Sequence, residues 1–477
     1  MKEINKNKIL IITVTIILAI VSYSNFLPEY YSIDTTKIIK DGYLAYGMQY
    51  SLQDARIFAF LIFLIAEIIN ISLRNLWQIL LISAIIISSI SVLKIYNIIL
   101  KIKPATNKET NILVYMMSYC YIFNFMYVDA LEFAENWIIA LSILFYIKSA
   151  EELMINNKKI KGLIFFVIGI LFYQGTINLF IATALLFLII NQKENIKEKA
   201  KRLLIAGIIA SIVVGIDFLI INIIKANMTV IQTARLSWDL ARNIKMLKVN
   251  IPNLIVKSVK LFPEYLQIIL IIILIITIFI NKIKEKKPLK ILIPICLIVV
   301  CYLSTLGLCI LTPNMLTASN GRMFISIGII ISTLLIYAYT NTNIFETKKF
   351  AEVIKTFIII YFIINIANNI NTTTMLKEGN NIDREISYEI QEEIKKYENE
   401  TKTKIKYLAV RYRVDMETEK KWIRSKKMLR AYNALVYETY TGEKIQDTTF
   451  TPQIQSKYFK KVKKTIKCVD DTIYILM

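Results

Sequence analysis

Histidine is absent from all 477 residues. That removes every mechanism with an imidazole base and most zinc sites with imidazole ligands, so acid and base work falls to carboxylates. Cysteine is almost as scarce. Of five, Cys120, Cys296, Cys301 and Cys309 sit in apolar runs and Cys468 stands alone near the end. None has a metal-ligand spacing or an evident disulfide partner, so they read as packing residues, and no metal-ligating residue is assigned while a divalent metal stays open. There is no tandem repeat.

Apolar side chain is what the chain has in abundance. Hydrophobic residues make up 56% and the mean hydropathy is +0.52, more than one soluble core could hide. Runs at 9–24, 203–223, 266–280 and 291–310 approach the ~20 residues that cross ~30 Å of hydrocarbon. The formal charge of +22 would point to nucleic acid in a soluble protein. Its distribution argues otherwise: from Thr372 onward there are 22 Lys+Arg and 16 Asp+Glu, a net of +6, which leaves +16 for the membrane part. Much of that excess lies in short loops between apolar runs, where positive residues set orientation.

Basic loops at 101–108, 158–161, 193–202 and 282–290, with Lys348 and Lys349, are therefore assigned to the cytoplasm. Lys2, Lys6 and Lys8 precede a first run too long for a signal h-region, which reads as a retained anchor with its amino end inside. Parity then requires an odd number of crossings between 56 and 100, where the hydropathy suggests two helices split at 72–75. The resolution is a re-entrant helix at 57–71 followed by a true span at 77–100. Further spans are expected at 111–127, 136–150, 162–175, 176–191, 203–224, 266–281, 291–311, 323–340 and 352–370. The expected fold is an all-α polytopic membrane protein with about eleven transmembrane helices plus that re-entrant helix. Residues 1–371 form the membrane domain and 372–477 a small extracytoplasmic α/β domain. In the tail, strands are expected at 407–412 and 472–476, with an amphipathic helix at 383–397 whose Ile386, Ile390 and Ile394 recur every four residues.

This order places the loops 27–54, 128–135, 225–265 and 312–322 outside, and they concentrate acids, aromatics and arginines near helix ends. The first holds Asp34 after Tyr30 and Tyr31, then Asp41, Asp54 and Arg56. A carboxylate partly desolvated by aromatic neighbours can take a proton from a hydroxyl nucleophile, which fits Asp34. The second holds Asp129, Glu132 and Glu135. An acid at a membrane helix end needs a partner, and for Glu135 that is Arg56 or Arg322. Tyr173 and Gln174, with Asn178 one turn later, make a polar notch suited either to sugar hydroxyls or to holding two helices together. Arg322 begins a span from outside, and the long loop carries Arg235, Arg242, Lys245, Lys248, Lys257 and Lys260, which suit a lipid phosphate or anionic head groups. The lysine-rich stretch from Lys457 to Lys467 reads as a solvated face.

Taken in order, Tyr30-Tyr31-Ser-Ile-Asp34, Asp54-Ala-Arg56, the aromatic-rich turn from Phe123 to Glu135, Phe172-Tyr173-Gln174 and Arg322 resemble the GtrII family of membrane glucosyltransferases, a branch of the GT-C glycosyltransferases. The resemblance covers roughly residues 10–340. It departs at Ile33, Ala55 and Glu135, where the family tends to have an acid, Gly and Asp. It implies transfer of one sugar, glucose in that family, from a polyprenyl-phosphate carrier to a surface polysaccharide or related acceptor on the outer face of the cytoplasmic membrane. By the same resemblance Asp34 or Asp54 is the base, and Arg56, Arg235 or Arg322 meets the departing phosphate, with Glu135, Tyr173 and Gln174 lining the site. The competing expectations are a flippase for lipid-linked sugars and a polysaccharide polymerase. Transporters commonly carry internal repeats, and none is visible here.

Overall fold

The computed structural model describes residues 2–28, 30–191, 195–227, 239–260, 265–286, 288–309, 322, 324–342, 348–411, 433–449 and 465–476. Arg235, Cys309's side chain and most of the lysine-rich stretch lie outside what it describes.

The described chain is mostly helical. It opens with α1 (Lys2–Tyr23), after which the first loop folds into α2 (Ile33–Asp41) and the single turn α3 (Tyr43–Tyr46). Ser32 starts α2 by accepting a hydrogen bond from the Thr35 amide, and Asp34 sits in the first turn, where the exposed amides favour a negative charge. Next come α4 (Ile57–Ile68) and α5 (Leu73–Ile102), separated by a cap in which Ser72 accepts from the Asn75 amide. Helix α4 has 12 residues, about 18 Å at 1.5 Å per residue, against ~30 Å of hydrocarbon. A tightly packed group follows: α6 (Lys108–Ile122), α7 (Tyr127–Leu131), α8 (Asn136–Met154), α9 (Lys159–Phe172) and α10 (Ile177–Ile190). Helix α8 is buried along most of its length, so its apolar residues serve protein contacts rather than lipid.

Helix α11 (Ile196–Ala226) is the opposite case, presenting Ile208, Ile212, Ile216, Leu219 and Ile223 to the outside. An apolar face of that extent is stable only against lipid or another protein. The segment 225–265, expected as a loop, instead contains a 21-residue helix, α12 (Leu240–Lys260). Its basic residues obscured a three-and-four spacing of Leu240, Ile244, Leu247, Ile251 and Leu254, enough to drive an amphipathic helix. The membrane part closes with α13 (Leu266–Lys284), α14 (Leu292–Cys309), α15 (Ile325–Gly328) and α16 (Ile330–Asn341).

Among the described residues, five helices are long and apolar enough to cross a membrane: those containing 8–26, 73–102, 197–224, 266–284 and 350–401. Shorter apolar helices lie at Ile57–Ile68, Gln174–Ile190, Leu292–Leu306 and Ile330–Asn341.

The last of the five belongs to α17 (Lys348–Thr401), a helix of 54 residues that runs through the composition change at 371–372 without interruption. A polar seam orients it. Asn365 and Asn369 both donate to the Phe123 carbonyl, at 2.7 and 3.0 Å, and Asn369 also reaches the Tyr23 hydroxyl. Thr373 donates to the Ser22 carbonyl, and Asn380 exchanges two hydrogen bonds with the Tyr31 backbone. Buried donors satisfied in this way favour one rotation of the helix and one depth.

Beyond the seam a second core forms. Ile386, Ile390 and Ile394 pack with Leu408, Val436, Tyr437, Ile473 and Ile475, so the four-residue stripe is buried as its spacing requires. The sheet has the order β2-β1-β4-β3, with β1 (Tyr407–Arg411), β2 (Gln446–Asp447), β3 (Thr465–Val469) and β4 (Thr472–Leu476). Strand β1 is parallel to β2 and β4, while β3 and β4 form an antiparallel pair. Helix α18 (Asn433–Thr441) covers β1 and reaches α2.

Glu443 ties this unit together. It accepts from Tyr437 and Gln391, each at 2.6 Å, with Lys395 at 3.7 Å. Burial alone would raise its pKa, but these hydrogen bonds and the lysine outweigh it and hold the carboxyl below its ordinary value of 4.5. A carboxyl depressed in the folded state contributes stability that is complete above the unfolded pKa and lost as pH falls through the folded one. Glu443→Gln is thus expected to lower the tail's thermal midpoint at pH 7 and to lose that effect progressively below about pH 4.5. Melting curves of both proteins across pH 3 to 7 would check it, and a difference independent of pH would refute it.

Candidate functional site

Arg56 is the residue around which the site is built. It caps α4, its side chain is only 13% exposed, and its Nη1 meets Glu135 Oε2 at 2.5 Å while Nη2 meets Asp54 Oδ2 at 3.2 Å. The guanidinium also lies over the Tyr173 ring, 4.8 Å from its centroid. Burial favours loss of the proton, but Glu135 and Asp54 more than offset it and hold Arg56 firmly charged. Glu135 uses its other oxygen to accept from the Ser51 hydroxyl at 2.9 Å. Of the two arginines considered as its partner, Arg56 is thus the one in contact.

The turn carrying this arginine is strained. Ala55, between Asp54 and Arg56, has φ +56°, in the left-handed region that favours glycine, and it is 1% exposed. A residue with a Cβ costs roughly 1–2 kcal/mol there. The turn places the carboxylate of Asp54 and the guanidinium of Arg56 side by side.

Tyr173 and Gln174 occupy the turn between α9 and α10. The Tyr173 ring folds back over Gly175, where a Cβ would stand 2.5 Å from a ring carbon, so only glycine leaves room for it. Gln174 Nε2 donates to the Asp54 carbonyl at 3.0 Å and to Asp217 Oδ1 at 3.2 Å. Asp217 lies inside α11 and is 6% exposed. A lone acid within an apolar span is costly unless it is paired and serves a purpose, and its presence in the sequence was a signal that the apolar run concealed. Asn178 turns away toward α14, where it bonds Thr305 at 3.5 Å.

Arg322 approaches from the other side. Its guanidinium stacks on the Phe133 ring at 3.7 Å and its backbone amide donates to Asp129 Oδ2 at 2.9 Å. Among the described residues no carboxylate lies within 4 Å of the Arg322 guanidinium. Its burial works against the charge, while Tyr173, Asp129 and Asp34 favour it more strongly and Arg56 opposes it. Those influences put Arg56, Arg322, Asp34, Asp129 and Tyr173 within electrostatic reach of one another in one region of the molecule. Tyr46 is buried in the same region: burial above all, then Asp34 and Glu135, raise its pKa well above the ordinary value, so the phenol stays protonated.

Asp34 is the least constrained acid. Its contact is Lys37 at 3.9 Å, and that lysine also lies 4.2 Å over the Tyr50 ring. Glu132 accepts from the Tyr30 hydroxyl at 3.0 Å, which shapes the wall of the site. The structure therefore draws Asp34, Asp54, Arg56, Glu135, Tyr173, Gln174 and Arg322 together from five separate stretches of chain. It adds Asp217, Tyr46, Ser51 and Phe133, which the sequence did not single out. Among the described residues no three acids or cysteines cluster as a metal ion would require.

No family model, curated protein or solved structure matches the chain.

Two stability measurements follow from this geometry. Glu135→Ala leaves Arg56 buried with half of its charge balance and is expected to destabilise by about 3–5 kcal/mol, read as a lower denaturation midpoint in detergent. Ala55→Gly removes the left-handed penalty and is expected to raise that midpoint slightly, whereas Ala55→Val should lower it. A rise with valine would contradict the assigned backbone.

Proposed function

We propose that the chain is a GT-C type glycosyltransferase, similar to the GtrII enzymes, that moves a single hexose from a polyprenyl-phosphate carrier to a cell-surface polysaccharide or related acceptor. Glucose is the sugar that the resemblance implies. The observation that carries the reading is Arg322: a half-buried arginine whose guanidinium stacks on an aromatic ring, with no carboxylate against it among the described residues, beside a second arginine and several acids. A guanidinium held on a ring, with no carboxylate in direct contact among the described residues, suits a phosphate, which it can grip bidentately. The acids beside it suit removal of a hydroxyl proton.

In this reading the acceptor hydroxyl attacks the anomeric carbon, and the bond from that carbon to the carrier phosphate oxygen breaks with its electron pair passing to the phosphate. Arg322, backed by Arg56, balances the charge that develops there. The hydroxyl proton goes to Asp34. Asp54 is the poorer base because Arg56 neutralises it at 3.2 Å. Gln174 and Tyr173 hold the Asp54 turn and Arg56 in place.

The same proposal includes about eleven crossings, the amino end in the cytoplasm and the tail outside. Helix α4, too short to cross, enters and leaves on the outer side, and the short apolar helices pair to make a thinned region that the lipid carrier enters. That arrangement is consistent with the acids and arginines gathering at helix ends.

Purified protein in detergent is expected to transfer labelled glucose from polyprenyl phosphate to a glycan acceptor. Asp34→Asn should reduce transfer by at least about 100-fold, and Arg322→Gln by about 100-fold or more. Full activity in Asp34→Asn would remove that residue as the base. If no donor in a broad panel is consumed while labelled lipid crosses vesicles, the protein is a flippase. Repeated addition to one acceptor would identify a polymerase.

A further inference from the structure

A second polar recess lies where the tail meets the first loop. It is shallow, open to the outside, and lined by Tyr31, Lys377, Asn380, Asn381, Arg384 and Tyr440. The Tyr31 and Tyr440 rings meet edge to face at 5.6 Å, and Asn380 clamps the Tyr31 backbone through its two hydrogen bonds. The Tyr440 hydroxyl donates to the Asn380 carbonyl at 3.2 Å. These contacts tie Tyr31 and Tyr440 to Asn380.

Two cations face this recess, and Arg384 has no carboxylate within 4 Å among the described residues. Its one hydrogen bond is a long one of 3.3 Å to Asn381 Oδ1, which leaves most of its donors unused. The recess also adjoins the site already described. Tyr31 is three residues from Asp34, its neighbour Tyr30 points the other way to Glu132, and Tyr440 lies close enough to influence the Tyr30 phenol.

We propose that this recess binds the glycan acceptor through a negatively charged sugar unit, Arg384 and Lys377 meeting the anionic group while Tyr31 and Tyr440 border the ring. Aromatic faces with amides and a guanidinium are the chemistry that recognises an acidic sugar, because they cover C–H surface and fork onto a carboxylate or phosphate. The assignment rests on the transferase reading above. It names the acceptor's class and gives the tail a role: it holds the polymer beside Asp34.

Binding to the full-length chain in detergent would be measured with two probes, a tetramer of galacturonic acid and a neutral tetramer of galactose. The acidic tetramer should bind at least about tenfold more tightly, and Arg384→Gln should remove that preference. Arg384→Lys, which keeps the charge but loses the fork, should restore part of it, separating recognition from misfolding. Equal binding of both tetramers, or unaltered binding by Arg384→Gln, overturns the proposal. So does Arg384-dependent binding of phosphatidylglycerol vesicles with no binding of the acidic tetramer. Protein that transfers sugar without binding the acidic tetramer removes only the recess assignment. Protein that binds the tetramer but moves no sugar from any donor keeps the recess and removes the transferase.

Discussion

A guanidinium withdrawn from water needs both opposite charge and a polarisable face, and Arg56 finds them on three different parts of the chain. Glu135 brings in the start of α8, Asp54 the strained turn before α4, and Tyr173 the turn between α9 and α10. Removing any of these leaves a buried charge short of compensation, which costs more than the pair itself contributes. The other contacts of the site follow from that constraint. Gln174 is placed by Tyr173 and in turn fixes the Asp54 carbonyl, while Asp217 completes the amide's hydrogen bonding from inside a span.

Arg322 contrasts with Arg56 in a way that bears on function. Arg56 is paired with two carboxylates. Arg322 is held by an aromatic face and through its own backbone amide, with no carboxylate in direct contact with its guanidinium among the described residues. The two arginines thus differ in their partners alone.

Much of this was legible in the amino-acid pattern because the physics is local. The tail strands fall at Tyr407–Arg411 and Thr472–Leu476, within one residue of expectation, since runs of β-branched and aromatic residues between polar turns have little alternative. The acids and arginines were recognisable as a group because ionisable residues at helix ends must find one another. Asp217 was missed since hydropathy averages over a window and a single acid vanishes into eighteen or so apolar neighbours. Helix α12 was missed for the converse reason, its lysines outweighing a regular apolar stripe. The number of crossings resists the sequence because hydropathy reads length and not depth. Helices such as Ile57–Ile68 and Ile330–Asn341 are as apolar as a span while falling short of one.

The unbroken helix α17 has a further consequence. Its seam, at residues 365, 369, 373 and 380, lies on one face because those intervals keep step with the helical turn, and the same helix then carries Ile386, Ile390 and Ile394 into the second core. Each added residue would rotate everything beyond it by about 100°. The two halves of the molecule are thereby phase-locked. Single insertions or deletions between 373 and 386 would swing the tail off Tyr31 even if every side chain were kept. A block of seven would return it to within about 20° of its bearing, lifted by about 10 Å. Such a helix is constrained in its length as well as in the residues of its seam and stripe.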